Sequence, residues 1–221
     1  IGGLVVRNDV RSEVDAYLDN ATLTAGSLSV TATESATIKA TADSLAESSG
    51  GSAYGSGQSL AVNGVIATNL VLGHALAWIT SSDVTTTGDV SVSSSNTSVI
   101  EATTKSVTTT GDTAVGISLA FNTIGWEAQN ILFGTIDALV NSEIGDADPV
   151  TAKATIVDSN QDVGGTLSVL ADSKAKLTAN LSNDSTSAAS ALVNAGGMAV
   201  SGLLASNMVS SLAEASINFT G

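Results

Sequence analysis

Cysteine is absent from this chain of 221 residues, histidine and proline occur once each, and positive charge is scarce, with 7 Lys+Arg against 21 Asp+Glu. Aromatic residues make up only 3%. Each shortage excludes something. Without cysteine there is no disulfide framework, no thiolate zinc site and no cysteine nucleophile, and a single imidazole, His74, cannot build a multi-histidine metal centre within one chain. A net charge of −14 opposes binding to nucleic acid or to anionic membrane surfaces, which requires clustered Lys and Arg. Few large aromatic rings means little of the bulky material from which a globular enzyme core of this length is usually made.

What is present is small, β-branched or hydroxylated: 32 Ala, 32 Ser and 26 Thr beside Val, Ile and Leu. The hydrophobic fraction of 43% with only 13% charge opposes intrinsic disorder, so the chain is expected to fold. Such residues suit extended strands over a narrow core. No basic segment followed by a cleavage pattern marks the start of the sequence.

Internal repetition is the strongest signal. Windows 26–40, 88–102 and 165–179 align without gaps on the pattern G-x-h-S-V-x-[AS]-x-x-x-[AS]-x-[IL]-x-A, where h is aliphatic. A second motif precedes each window: Asn8, Val10, Val14, Ala16 and Leu18 match Asn69, Val71, Ala75, Ala77 and Ile79, and again Asn207, Val209, Ala213, Ala215 and Ile217. In the third unit this motif is split, with Asn122 and Ile124 at its head and Ala152, Ala154 and Ile156 at its tail, around an insertion of roughly 25 residues from Gly125 to Pro149. A fixed unit of roughly 52–62 residues signals a repeat array.

Apolar residues alternate within each motif, as in Leu28, Val30, Ala32 and Ala36, Ile38, Ala40. Period two means strands with one face buried. Gly26, Gly88 and Gly165 supply turns. The sequence therefore predicts an all-β fold, a parallel β-solenoid in the form of a triangular, right-handed β-helix. It would be one segment, 1–221, of a longer array, with units at approximately 8–68, 69–121 and 122–206 and the next unit from 207. Coils of roughly 20 residues would give two or three per unit and about ten in all, about 50 Å of rod at the strand spacing. In the insertion, approximately 125–149, Ile131, Leu132, Ile136, Leu139, Val140 and Ile144 recur at helical spacing and predict a short amphipathic helix.

Other segments invite different readings. The uncharged stretches 48–73 and 185–213 are long enough to cross a bilayer but carry several Gly, Ser and Asn, and buried solenoid strands explain them better. Asp158, Asn160 and Asp162 place oxygens at alternate positions like the start of a calcium loop, but position twelve of that loop is Val169 and the glycine falls one place late. They form the one metal-site candidate, with Glu143, Asp146 and Asp148 a weaker group; a structural turn is the competing reading. The repeated Asn8, Asn69, Asn122 and Asn207 have no accompanying acid, base or nucleophile and read as architecture, satisfying turn backbone groups. No catalytic residue and no organic cofactor is expected. His74 alternates with inward Ala75 and reads as a surface residue. Five Asn-x-Ser/Thr sequons, at Asn20, Asn96, Asn180, Asn183 and Asn218, are no more than this composition produces by chance.

The Gly-x-Leu-Ser-Val-x-Ala and Ala-x-Ile-x-Ala units resemble the repeat regions of very large bacterial surface and secreted proteins, of the filamentous-haemagglutinin-like and RTX-adhesin-like kinds. The calcium nonapeptide G-G-x-G-x-D of the latter is absent. The resemblance implies an exported, extracellular or cell-surface protein: a stiff rod, adhesin stalk or filament, not an enzyme. Its partners would be copies of itself or neighbouring repeats, stacked head to tail, with cell-surface glycans as a further partner class. A glycan- or ice-binding β-helix using Thr85–Thr87 and Thr108–Thr110 is the main alternative, and a carbohydrate-active β-helix the lesser one.

Overall fold

The computed structural model describes residues 1–48, 59–127, 146–187 and 197–219. Among these residues the chain is all β, and its principal strands, of 18 to 21 residues, are far longer than the usual 3–10 residues. β1 (Gly2–Asp19), β2 (Thr22–Ala25) and β3 (Leu28–Ser48) form one coil, and β4 (Leu60–Thr80), β5 (Asp83–Thr86) and β6 (Val90–Thr110) the next. In the third coil the long first strand is divided into β7 (Thr113–Ile124) and β10 (Val150–Val157), followed by β11 (Asn160–Val163) and β12 (Leu167–Ser187). A two-residue antiparallel pair, β8 (Trp126–Glu127) with β9 (Asp146–Ala147), forms the neck of the insertion between them. β13 (Met198–Val209) and β14 (Ser211–Asn218) begin a fourth coil.

Strands stack in parallel and in register into three sheets. Sheet A runs β1, β4, then β7 and β10 together, then β13 and β14; sheet B is β2-β5-β11; sheet C is β3-β6-β12. This is the architecture of a parallel β-solenoid. The coil size differs from the sequence expectation. Gly2 pairs with Asn63 and Leu28 with Val90, so one repeat unit makes one coil, not two or three. Coils of about 20 residues are not formed because each long strand runs for about 20 residues unbroken. Nothing interrupts it: the single proline, Pro149, lies at the insertion, outside the strands. The cross-section is flattened rather than an even triangle, with sheets A and C facing each other and the four-residue strands of sheet B closing one side. Strands of 21 residues span about 70 Å, whereas each coil adds only ~4.8 Å of height, so the four layers make a slab much broader than tall.

The core lies between sheets A and C. Near sheet B it contains Val30, Ala32, Ala75, Ala77, Ile79, Val90, Val92 and Ile156; midway it contains Ile38, Val71, Ile100 and Ile124; at the far side Ala42, Val65 and Ala67. Inward Ala, Ser and Val keep the two sheets close, which accounts for the few aromatic residues. The same inward rows recur from coil to coil, the physical basis of the repeat.

Corners and the insertion follow from local chemistry. Asn20, Ser81 and Asp158 all have φ near +48°, and each occupies the corner between sheets A and B of its own coil. Their backbone amides bond to the next layer, Asn20 to Thr80 O, Ser81 to Val157 O and Asp158 to Asn218 O. Asn and Asp tolerate this left-handed geometry better than most residues. At the corner between sheets B and C a Cβ on Gly88 would lie 2.7 Å from Gly26 O, so glycine is needed there for close stacking of one turn on the next. The ladder continues across the insertion: Ser210 donates to Ile124 O while its own carbonyl accepts from Val150 N. The amphipathic helix expected within 125–149 falls mostly outside the described residues.

Candidate functional site

Among the described residues the interior polar groups form regular rows that follow the strand register. Asn8, Asn69, Asn122 and Asn207 occupy one inward row of sheet A. Each side-chain amide donates to the next oxygen: Asn8 Nδ2 to Asn69 Oδ1 at 2.7 Å, Asn69 to Asn122 at 2.7 Å and Asn122 to Asn207 at 2.9 Å. Asn69 and Asn122 are buried. The asparagines are architectural, but they sit mid-strand and bond to one another, not to turn backbone. In-register stacking makes this possible: identical amides ~4.8 Å apart meet the geometry of a hydrogen-bonded ladder. A chain of aligned amides strengthens each bond in a low-dielectric interior.

Three further polar contacts tie sheet C to sheet A across the core. Glu34, Asn96 and Ser173 share a row of sheet C. Glu34 Oε1 accepts from Ser12 Oγ at 2.5 Å, Asn96 Nδ2 donates to Gly73 O at 2.8 Å, and Ser173 Oγ to Val150 O at 3.3 Å. Gly73 makes the room: a Cβ there would stand 2.9 Å from Glu34 Oε2. That second oxygen is buried and has no hydrogen-bond partner among the described residues. Asn63 reaches across to Ser44 and Ser106, and Asn183 reaches back to the carbonyls of Gly116 and Gly202. Asn183 faces glycine and Asn63 faces serine, so bulk on one sheet meets space on the other. The sequons at Asn96 and Asn183 are therefore committed to the interior.

The metal-site candidates Asp158, Asn160, Asp162 and Asp148 lie on the surface. Asp158 is the corner residue equivalent to Asn20 and Ser81, and Asn160 and Asp162 follow on the exposed face of β11, two residues apart in extended chain. That spacing spreads their side chains by about 6.6 Å along the strand. Asp148 lies 3.9 Å from His74 Nε2, Asp146 belongs to β9, and Glu143 falls outside the described residues. Among the described residues no group of three or more His, Cys, Asp and Glu could hold a metal ion. His74 points outward and is partly exposed beside Glu13 and Arg11, in a shallow open groove.

The outer faces differ in chemistry. On sheet C, Glu101 lies between Lys39 at 3.5 Å and Lys176 at 3.8 Å, exposed pairs of little energetic weight. On β1, Asp9 accepts from Arg7 and Arg11, both at 3.1 Å. Partial burial pushes its carboxyl up, but the bonds from Arg11 and Arg7 outweigh this and hold it below its ordinary value. Tyr17 stacks on Trp78 of the next coil, ring centroids 4.8 Å apart and planes within 8°, and Tyr17 remains largely exposed. Thr108 and Thr110 point inward and are buried, so that threonine run offers no flat hydroxyl array.

The interior ladder and the aromatic pair had partial signals in the sequence: the asparagine row as a repeated position, the Tyr17–Trp78 pair as equal places in two copies of one motif. No family model matches the chain, and no match is found among curated proteins or solved structures.

Proposed function

We propose that this chain is a non-enzymatic structural segment of an extracellular or cell-surface protein, a right-handed solenoid that serves as a rigid rod, adhesin stalk or filament. The asparagine ladder carries this reading. It runs through every layer of sheet A, its amides bond to one another, and it adds directional cohesion along the stacking axis. Right-handed coiling is supported by the strong preference of parallel crossover connections for that hand.

Growth along the axis fits the exposed ends. Leu203, Val209 and Ile217 face the interior side of β13 and β14 yet remain exposed, and a neighbouring repeat laying strands on β11 and β12 would bury them. The ladder gives this association polarity, since Asn207 ends it with a donor to offer and Asn8 with an acceptor. The coil height sets the scale: ~100 Å of rod needs about 20 coils at ~4.8 Å each, so a stalk of this design is built from very long polypeptides or from many copies.

Electron microscopy of the native parent protein tests the reading. Long unbranched rods about 70 Å across are the expected result; isolated compact particles would refute it. Calcium titration followed by circular dichroism tests the ion, with an unchanged spectrum and melting temperature expected if Asp158 acts only as a corner. Glycan binding is a second reading, favoured by the exposed Tyr17–Trp78 stack, and loss of binding on a glycan array in Tyr17→Ala would support it.

A further inference from the structure

The outer face of sheet A is divided along its strands. Toward sheet B it carries charge in nearly every layer, including Arg11, Glu13, Asp15, Lys153 and Glu214. Toward the far edge, in the outward rows Gly3 and Val5 of β1 and Leu60 to Ile66 of β4 with their partners on β7 and β13, no outward position is charged; Arg7, beside Thr68, occupies the next row. Two outward rows there are wholly aliphatic in the inner layers and the last one, Val62–Val115–Val200 and Ile66–Leu119–Leu204. Between them runs Gly3–Gly64–Ile117–Gly202, in which one exposed isoleucine stands in a line of glycines. Nothing lies within 4 Å of a Cβ built on Gly64, so the surface is open above it. Leu60, Ile117, Met198, Val200 and Leu204 are all exposed.

From these observations we propose that this uncharged outer edge of the face is a lateral docking surface for a second copy of the same chain, packed face to face about a two-fold axis. Three arguments select that occupant. Ile117 is a knob flanked by hollows at Gly64 and Gly202, so the face is complementary to itself, as an isologous contact requires. Two chains of charge −14 repel over most of their surfaces and can approach closely where neither presents a charge. The area suits a weak pairing: four outward rows on β4, β7 and β13, two of them reaching β1, cover about 450 Å², and two such faces bury on the order of 900 Å², the range of transient association. A patch of this extent is at the upper end of what a monomer leaves bare. The pairing is lateral, independent of growth along the axis, and does not depend on the rod reading.

Sedimentation equilibrium of the intact chain tests the proposal. The expected result is a concentration-dependent species at twice the 21.8 kDa chain mass. Ile117→Lys should abolish it, raising the dissociation constant at least ~100-fold because a lysine would be buried against an aliphatic face. Gly64→Gln, which fills the hollow without adding charge and whose Cβ meets nothing within 4 Å, should weaken it at least ~10-fold, whereas Thr178→Lys on the outer face of sheet C should leave it unchanged. Circular dichroism matching the parent chain verifies that each variant is folded. A chain that stays monomeric to ~100 µM, or a dimer indifferent to both face variants, overturns the proposal. So does a monomer that floats with phosphatidylcholine vesicles, which would assign the face to lipid. Rods of single width seen by microscopy in Ile117→Lys would leave the axial reading standing while the lateral one is judged separately.

Discussion

The same inward rows of sheet A can be compared at the closed middle and at the open end. Val65, Val71 and Ile79 in the second layer are each 0% exposed, and Leu203, Val209 and Ile217, on the same rows in the fourth layer, are 56%, 49% and 42% exposed. Residue type and strand geometry are nearly alike. What differs is the covering: the second layer has strands above, below and opposite, whereas the described strands of sheet C do not extend to a fourth layer. Burial in this molecule is thus a property of stacking, and a single coil owns little of its own core.

That comparison can be broken first at its apolar rows. Ile79→Ala should cost about 2–5 kcal/mol in urea unfolding, the penalty for a cavity in a packed core, whereas Ile217→Ala on the same row should cost less than ~1 kcal/mol. Equal losses at the two sites would contradict the role assigned to stacking. The ladder offers a smaller contrast. Asn69→Ala strands a donor on Asn8 and an acceptor on Asn122, and should cost about 2–3 kcal/mol; Asn207→Ala, at the open end where water can replace the lost partner, should cost under ~1 kcal/mol.

How much of this was legible beforehand can be judged residue by residue. Alternation in Leu28, Val30 and Ala32 identified strands, and the recurrence of one motif at Asn8, Asn69 and Asn207 identified a parallel stack of repeated units, because stacking demands identical residues at equal places. The coil size was not legible. Alternation reports which face a residue takes, not where the chain turns back, and Gly26, Gly88 and Gly165 mark only one of the corners. The corner at Asn20, Ser81 and Asp158 has no shared residue type, only a shared φ near +48°, so its equivalence was hidden. For the same reason Asp158 resembled the opening of a calcium loop. The cross-core pairing of Asn183 with Gly116 and Gly202 joins residues 67 and 19 positions apart, a match no repeat alignment displays.

The smallest expected effect concerns Asp9. Its carboxyl is held below its ordinary value by Arg11 and Arg7, so its contribution to stability is present above the ordinary carboxylate range and is lost as pH falls through the lowered value. Asp9→Asn should flatten the acid limb of the stability profile slightly, and a profile unchanged from the parent would show that the exposed pairs contribute nothing measurable.

One measurement tests most directly the claim that each repeat unit forms a single coil. The chain is free of cysteine, so paired cysteines can be introduced without background. Thr31 and Ser93 face each other on neighbouring strands, their hydroxyl oxygens 3.1 Å apart. Thr31→Cys with Ser93→Cys should form a disulfide under mild oxidation, since neighbouring strands lie within the ~4.4–6.8 Å Cα range that a disulfide spans. Thr31→Cys with Thr97→Cys, displaced by four residues along β6, should not. Ready bridging of the displaced pair, or its absence at Thr31 and Ser93, would contradict the 62-residue register on which the fold rests.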